Sequence, residues 1–214
     1  RYAARTKLCA VLPRVFRTED EALFREKLQR FPQLSAVAVG NLGHLPIVEG
    51  LGLEVRGDFG LNVFNSRALA FLRELGLASA TVSFELRHQQ VRDLAKLLPC
   101  EGIVYGRLPL MVMENCITKN NVGCRHGAGS TLTDRTGAQF PVQCVYGCRN
   151  EIENSLPLFL ADKAEWRGCG LTSARLRFTT ETADECAAVL RRYRGEGDYA
   201  PEKYTRGLFY RGVE

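Results

Sequence analysis

Residues 80–105 read ATVSFELRHQQVRDLAKLLPCEGIVY, and this stretch sets how the rest of the chain must be built. Ala80–Phe84 is a short apolar run with β-branched and aromatic members, which predicts a strand closed by Glu85. His88–Leu98 then places Val91, Leu94, Ala95 and Leu98 at i, i+3, i+4 and i+7, one face of a helix. Pro99 ends that helix, and Gly102–Tyr105 is the next apolar strand. Strand, helix and strand at this spacing predict two parallel strands joined by a right-handed crossover.

The same alternation extends toward the N-terminus. Leu8–Leu12 reads as a buried strand. Thr18–Arg30 reads as a helix, with Thr18 and Glu21 at capping-box spacing, Leu23, Phe24, Leu28 and Phe31 on one face, and Pro32 as the stop. Ala36–Val39 is the next strand, followed by the polar turn 40–43 and a short helix around His44–Glu49. Val55–Asn65 is extended. Ser66–Leu75 is helical, with Leu69, Leu72 and Leu75 inward and Gly76 at its end. The pattern defines an α/β protein with parallel strands; by itself it fits a closed barrel or an open doubly wound sheet. No Gly-x-Gly-x-x-Gly turn follows a strand, which counts against a dinucleotide fold.

Beyond Tyr105 the rhythm breaks. Thr131–Thr133 and Gln139–Val145 predict a hairpin around Asp134-Arg135-Thr136-Gly137. Leu156–Leu160 is a short apolar run and Leu171–Phe178 alternates as a strand. Thr180 is placed to cap a final helix reaching about Tyr193. The glycine-rich, aromatic tail predicts packing over the fold without an element of its own. The expected organisation is βα units over 1–110, a cysteine-rich insertion with a hairpin over 111–155, and a last strand, helix and tail over 156–214.

Composition narrows the class. Of 214 residues, 45% are hydrophobic and 25% charged, which are globular values. The net charge of +5 comes with 23 Arg against 6 Lys, but no long basic run accompanies it, so charge alone does not imply nucleic acid. Codon usage is the plainer account of the skew. No apolar run approaches the roughly 18 residues of a membrane span, and no signal-peptide pattern opens the chain; a cytoplasmic location is the expectation. The chain begins at Arg1 without a methionine, which reads as a piece of a longer protein.

Four of the eight cysteines, Cys116, Cys124, Cys144 and Cys148, fall within 33 residues as C-x7-C-x19-C-x3-C. Soft thiolates grouped this way suit an iron–sulfur cluster or a tetrahedral zinc, with unliganded or disulfide-bonded cysteines as the remaining reading. The spacing is not that of a common zinc ribbon. Cys9, Cys100 and Cys186 lie on apolar runs and read as core; Cys169 is a reserve ligand. His44, His88 and His126 are too scattered for a metal motif, and His126 alone lies among the cysteines.

In a parallel α/β fold, ligands bind where the loops leave the carboxyl ends of strands. That rule selects Asn41, Asn62, Asn65, Glu85, Arg107, Arg175 and Arg177. The plain alternatives are turn or capping roles for the asparagines, a surface charge for Glu85, and solvent-facing arginines. No nucleophile elbow, Ser-His-Asp order or HExxH helix occurs.

The pieces AVAVGNLG, LNVFNS, TVSFEL, IVYGRLPLM, the cysteine region, LTDRTGAQFPV, ENSLPL and YTRGLFYRGVE resemble, in order, the U32 peptidases, or collagenase-like proteases. The resemblance implies a TIM-type (β/α) barrel lacking its first strands here, about six of eight being present, with the cysteine-rich insertion before the last strand. It also implies one of two activities. One is oxygen-independent hydroxylation of RNA bases or a small aromatic, drawing on prephenate and a 4Fe–4S cluster, with zinc as the alternative metal. The other is peptidase action on peptides or collagen-like substrates. A non-catalytic, metal-binding partner subunit is a third possibility.

Carried over by position, Cys116, Cys124, Cys144 and Cys148 would hold the metal. By their place at the carboxyl ends of strands, Glu85, Arg107 and Arg177 would be catalytic, the arginines holding carboxylates and Glu85 orienting an arginine or handling a proton. Asn41, Asn62, Asn65, Tyr105 and Arg175 would line the substrate site. The chain departs from the family at three places. Tyr105-Gly106 replaces a His-Gly pair, no cysteine follows Asn154-Ser155, and Arg175 and Arg177 stand where Glu-Gly-Arg is usual.

Overall fold

The computed structural model describes residues 5–123 and 130–213. The chain divides into two units. Of the described residues, the first takes 5–102, 167–174 and 208–213, and the second takes 103–123, 130–166 and 175–207.

In the first unit, β1 (Leu8–Val11), β2 (Leu34–Val39), β3 (Glu54–Gly57), β4 (Ser79–Thr81) and the start of β5 (Cys100–Gly106) pair side by side, all in parallel. The chain between them carries α1 (Glu21–Gln29), α2 (Leu45–Val48), α3 (Ser66–Glu74) and α4 (His88–Asp93). In β2 the run Ala36–Val39 is buried at four successive positions, as a parallel strand covered on both faces requires. Leu69 and Leu72 of α3 and Phe24 and Leu28 of α1 supply the facing helix contacts to the core.

The helix ends shift from the sequence expectation for local reasons. A 3-10 turn at Thr18–Asp20 precedes α1, and the Asp20 carboxylate accepts from the Arg17 amide at 3.0 Å, so the cap sits one residue early. The helix expected to reach Leu98 stops at Asp93. There the Lys96 ammonium donates to the carbonyls of Val91, Arg92 and Leu94 at 2.6, 3.2 and 3.3 Å, satisfying the end of the helix. Leu98 is still buried, but Ala95 is exposed. Cys9 is exposed on β1 and not a core residue, whereas Cys100 is buried.

The second unit contains an antiparallel sheet ordered β6-β9-β8-β7, formed by β6 (Pro109–Met113), β7 (Ser130–Thr133), β8 (Gln139–Val145) and β9 (Arg149–Glu153). The β7–β8 hairpin closes over Asp134, whose carboxylate accepts from the amides of Thr136 and Ala138 at 2.8 and 3.0 Å. The unit also holds α5 (Ile117–Val122), β10 (Leu158–Phe159) and α6 (Ala183–Arg194). The cap of α6 is Thr182, not Thr180: Thr182 and Glu185 form a reciprocal capping box. Tyr105, Phe159 and Val189 form a buried cluster, and the Tyr193 hydroxyl donates to the Val104 carbonyl at 2.5 Å while accepting from the Leu160 amide at 3.0 Å.

The expected TIM-type barrel is not formed. The larger sheet runs β1-β2-β3-β4-β5-β10, with β11 (Ser173–Arg177) also on β5. Among the described residues its end strands β1 and β10 do not pair, and β10 joins β5 antiparallel. Six α-helices are present among the described residues, several a single turn or two, against the eight of a barrel. The physical reason is the connection after β5. After only Arg107 and Leu108 the chain enters β6, a member of the antiparallel sheet, and the carboxyl end of β5 is taken by β10, which runs antiparallel to it. Alternation upstream fixes parallel pairing, but closure depends on the chain beyond β5, and there β10 pairs antiparallel.

Candidate functional site

The cysteines are brought together by the antiparallel sheet. Cys116 caps the start of α5, where its sulfur accepts from the Lys119 amide at 3.4 Å. Cys144 lies on β8, directly opposite Asn150 of β9. The Cys116 thiol is held below the ordinary cysteine range, first by the Lys119 N–H and then by the Asn150 side chain and the Cys144 thiol, which hydrogen-bond to it. Cys116 and Cys144 therefore meet, and Cys116 is biased toward the thiolate that binds metal. Cys148 lies next along the chain, on an exposed turn with φ of 59°. Cys124 and His126 lie outside the described residues. Among the described residues no three His, Cys, Asp or Glu side chains form a ready-made metal cage. Cys169, the reserve ligand, is buried in the first unit, its sulfur 3.5 Å from the His88 carbonyl.

Two further ties join the cysteine-bearing segments. Arg149, which is 6% exposed, donates to both Glu114 oxygens at 3.1 and 3.0 Å and to the Tyr146 carbonyl at 3.3 Å. The buried Asn150 accepts from the Ile117 amide at 2.7 Å and donates to Cys144 Sγ at 3.6 Å.

The arginines sit in a charged network in the second unit. Arg177 donates to Glu153 at 2.7 Å and to the Arg107 carbonyl at 2.6 Å, and pairs with Glu151 at 3.5 Å. Glu153 is fully buried. Arg107 donates to the carbonyls of Asn154 and Ser155 and to Thr180 Oγ1. Arg175 is half-buried on β11. Gly106 permits this packing: its φ is 111°, and a β-carbon there would lie 1.9 Å from the Arg177 carbonyl oxygen. Tyr105 is buried, and burial pushes its hydroxyl above the usual tyrosine range.

The remaining candidates lie in the first unit. Asn41 follows β2 and accepts from the Gly43 amide at 2.9 Å. Asn62 adopts the left-handed conformation after a 3-10 turn. Asn65 caps α3, accepting from the Ala68 amide at 3.0 Å. Asn41 and Asn65 thus serve nearby backbone, and Asn62 takes the left-handed turn position that its type favours. Glu85 is half-buried just beyond β4, its amide 3.3 Å from Ser83 Oγ.

Sequence reading did not single out Arg149, Asn150, Glu151 or Glu153. Their one signal is the alternation of charge in Arg149, Glu151 and Glu153, which lacks the apolar face that normally announces a strand.

Fold and site together define a mixed α/β protein with a run of parallel strands in its first unit and a thiol-bearing antiparallel sheet in its second. The sequence profile of peptidase family U32 matches residues 2–140, and the chain belongs to that family. Membership places it, at that coarse level, among enzymes. The match includes Cys116 and Cys124 and ends before Cys144, Cys148 and the arginines of β11. No curated protein and no solved structure matches the chain. No helix among the described residues is long and apolar enough to cross a membrane.

Proposed function

We propose that this U32-family chain is an iron–sulfur-dependent enzyme that modifies RNA bases or a small aromatic substrate by oxygen-independent hydroxylation. The observation that carries the reading is the grouping of Cys116 and Cys144 about Asn150, which accepts from the Ile117 amide beside Cys116 at 2.7 Å and donates to Cys144 Sγ at 3.6 Å, while the Lys119 amide donates to the Cys116 sulfur at 3.4 Å. Thiols assembled this way suit a soft metal centre. Cys116, Cys124, Cys144 and Cys148 would hold a 4Fe–4S cluster, which supplies one-electron chemistry when bound. The chain's own part is to favour the Cys116 thiolate through N–H donors, and to tie the segments that carry Cys116 and Cys144 to one another. Zinc is the alternative occupant.

The test is purification of the intact protein without oxygen, with iron and sulfide measured per chain and the visible spectrum recorded. Cys116→Ser should lose most of the iron, and Cys9→Ser, on the exposed face of β1, should lose little. Equal iron in both variants refutes the cluster assignment. Prephenate is the small-molecule candidate because the family resemblance implies it, and its two carboxylates would call for bidentate arginine partners. Calorimetry of prephenate against the iron-loaded protein should show binding, and its absence discards that co-substrate.

The family's description as peptidases favours a second reading, hydrolysis of peptides or collagen-like substrates. Cleavage of a collagen-like peptide by iron-free protein would decide for it.

A further inference from the structure

We infer that Asn150 is the positioning residue of the cysteine site, its carboxamide holding Cys116 and Cys144 as one pair by accepting from the Ile117 amide beside Cys116 and donating N–H to the Cys144 sulfur. The inference deepens the cluster reading above and rests on it for the electronic part alone; the positioning part concerns the metal-free thiols.

Three observations carry it. Asn150 is completely buried in the strand between β6 and β8, with Met113 and Cys144 as its cross-strand partners. Residues directly opposite in an antiparallel pair point to the same face, so Asn150 and Cys144 are side-chain neighbours by register. Its two ends are used differently. Oδ1 accepts from the Ile117 amide at 2.7 Å, which anchors the residue next to Cys116. Nδ2 donates to Cys144 Sγ at 3.6 Å and to the Arg149 carbonyl at 3.2 Å. A leucine could fill a similar volume, yet it could neither accept from Ile117 nor donate to sulfur. A buried amide satisfied in this way fixes geometry because any displacement strands a polar group out of water. Outer residues that donate to ligand atoms orient those ligands, and hydrogen bonds to sulfur raise the reduction potential of an iron–sulfur centre.

The positioning role is tested on the intact, metal-free protein with a diazene oxidant. Each of the two thiols gives up its hydrogen, one S–S bond forms, and the diazene takes up both hydrogens and both electrons to become a hydrazine. Peptide mapping should find a Cys116–Cys144 cross-link in the wild type. Asn150→Ala and Asn150→Asp should both form it at least about tenfold more slowly, because neither presents an N–H to Cys144 Sγ and the pair loses its orientation. Asn150→Asp keeps an acceptor for the Ile117 amide, so it separates the sulfur contact from simple folding. A wild-type rate in either folded variant overturns the assignment, as does failure of the wild type to form this cross-link.

The electronic role is read on iron-loaded protein. Asn150→Asp should make reduction about tenfold less favourable, a fall of about 59 mV for one electron, at undiminished iron content. An unchanged potential at full occupancy refutes sulfur donation. If the wild type holds no iron or sulfide while the cross-link still depends on Asn150, the cofactor reading falls and the positioning assignment stands.

Discussion

The parallel strands of the first unit and the antiparallel sheet of the second are stabilised by different kinds of side chain. Val37, Val39, Val63, Leu69 and Ala80 fill the first, and the asparagines at its strand ends serve the backbone beside them. In the second, Arg149, Asn150 and Glu153 are buried, and each reaches a charged or polar partner on another segment. Losing part of an apolar side chain costs in proportion to the atoms removed. Losing one member of a buried ion pair leaves a charge without water or partner. The same number of deleted atoms should therefore matter more in the second unit.

Arg177→Ala gives the largest effect expected from this contrast. It leaves the buried Glu153 without its 2.7 Å partner and removes the bond to the Arg107 carbonyl. A destabilisation of about 3–5 kcal/mol is expected, read as a lower urea midpoint with an unchanged slope. Pairing Arg177→Met with Glu153→Leu should recover part of that loss, since those two charges then leave together while Glu151 keeps its own. A single variant that costs less than about 1 kcal/mol would mean the network behaves as a solvated surface pair, and the contrast between the units would fail.

Asn65→Ala in the first unit is the matching deletion of a polar group, with a smaller effect. Its oxygen satisfies one amide at the open start of α3, a cap typically worth about 1 kcal/mol. Water can reach the exposed site and replace part of the bond. A loss as large as that of Arg177→Ala would show that Asn65 does more than cap α3, which would return it to the substrate-binding candidates. Substrate affinity measured on this variant separates the two roles.

The same contrast explains which parts were legible in the sequence. β2, α3 and the β7–β8 hairpin announce themselves because apolar periodicity, an asparagine cap and an Asp-to-Gly turn all act within a few residues. β9 does not. Its sequence RNEIE has no apolar face, and it becomes a strand because Arg149, Asn150 and Glu153 find partners at Glu114, Ile117 and Arg177, 35, 33 and 24 residues away. Such pairings depend on tertiary structure, so propensity cannot reveal them. The barrel expectation fails for a related reason. Strand–helix alternation dictates neighbours and direction, while closure depends on the long-range pairing that β10 makes antiparallel to β5. Among the site residues, the Cys116–Cys144 meeting follows from clustering in sequence, but the sharing of Arg177 between Glu151 and Glu153 has no sequence signature beyond their i, i+2 spacing.

The smallest effect concerns pH and again sets one unit against the other. In the second unit Arg206 donates to both oxygens of Asp162 at 2.6 and 2.7 Å, and this holds the carboxyl below the usual aspartate range. In the first, Arg92 beside it likewise lowers Asp93. An acid whose folded value is depressed contributes stability above its unfolded value, near 3.9, and that contribution disappears as pH falls through the lower folded value. Both acids obey that sign, but their unfolded references differ. Arg92 and Asp93 are neighbours in the chain and exposed, so much of their attraction persists on unfolding. Arg206 and Asp162 lie 44 residues apart and meet only in the fold. The pair is about one-quarter to one-third exposed, at 23% and 32%, so solvent screening limits its worth to about 0.5–1 kcal/mol. Between pH 6 and pH 2.5 the wild type should therefore lose about 1–3 °C of melting temperature more than Arg206→Gln does. Asp93→Asn should follow the wild-type pH curve. Arg206→Gln also loses its packing on Tyr204, whose ring lies 4.6 Å from the guanidinium, so its melting point at pH 6 will be lower throughout. The slope with pH isolates the carboxylate. Equal acid losses in the wild type and Arg206→Gln would show that the pair forms no stronger in the fold than in the unfolded chain, and a changed slope in Asp93→Asn would place the acid-sensitive contact in the first unit instead.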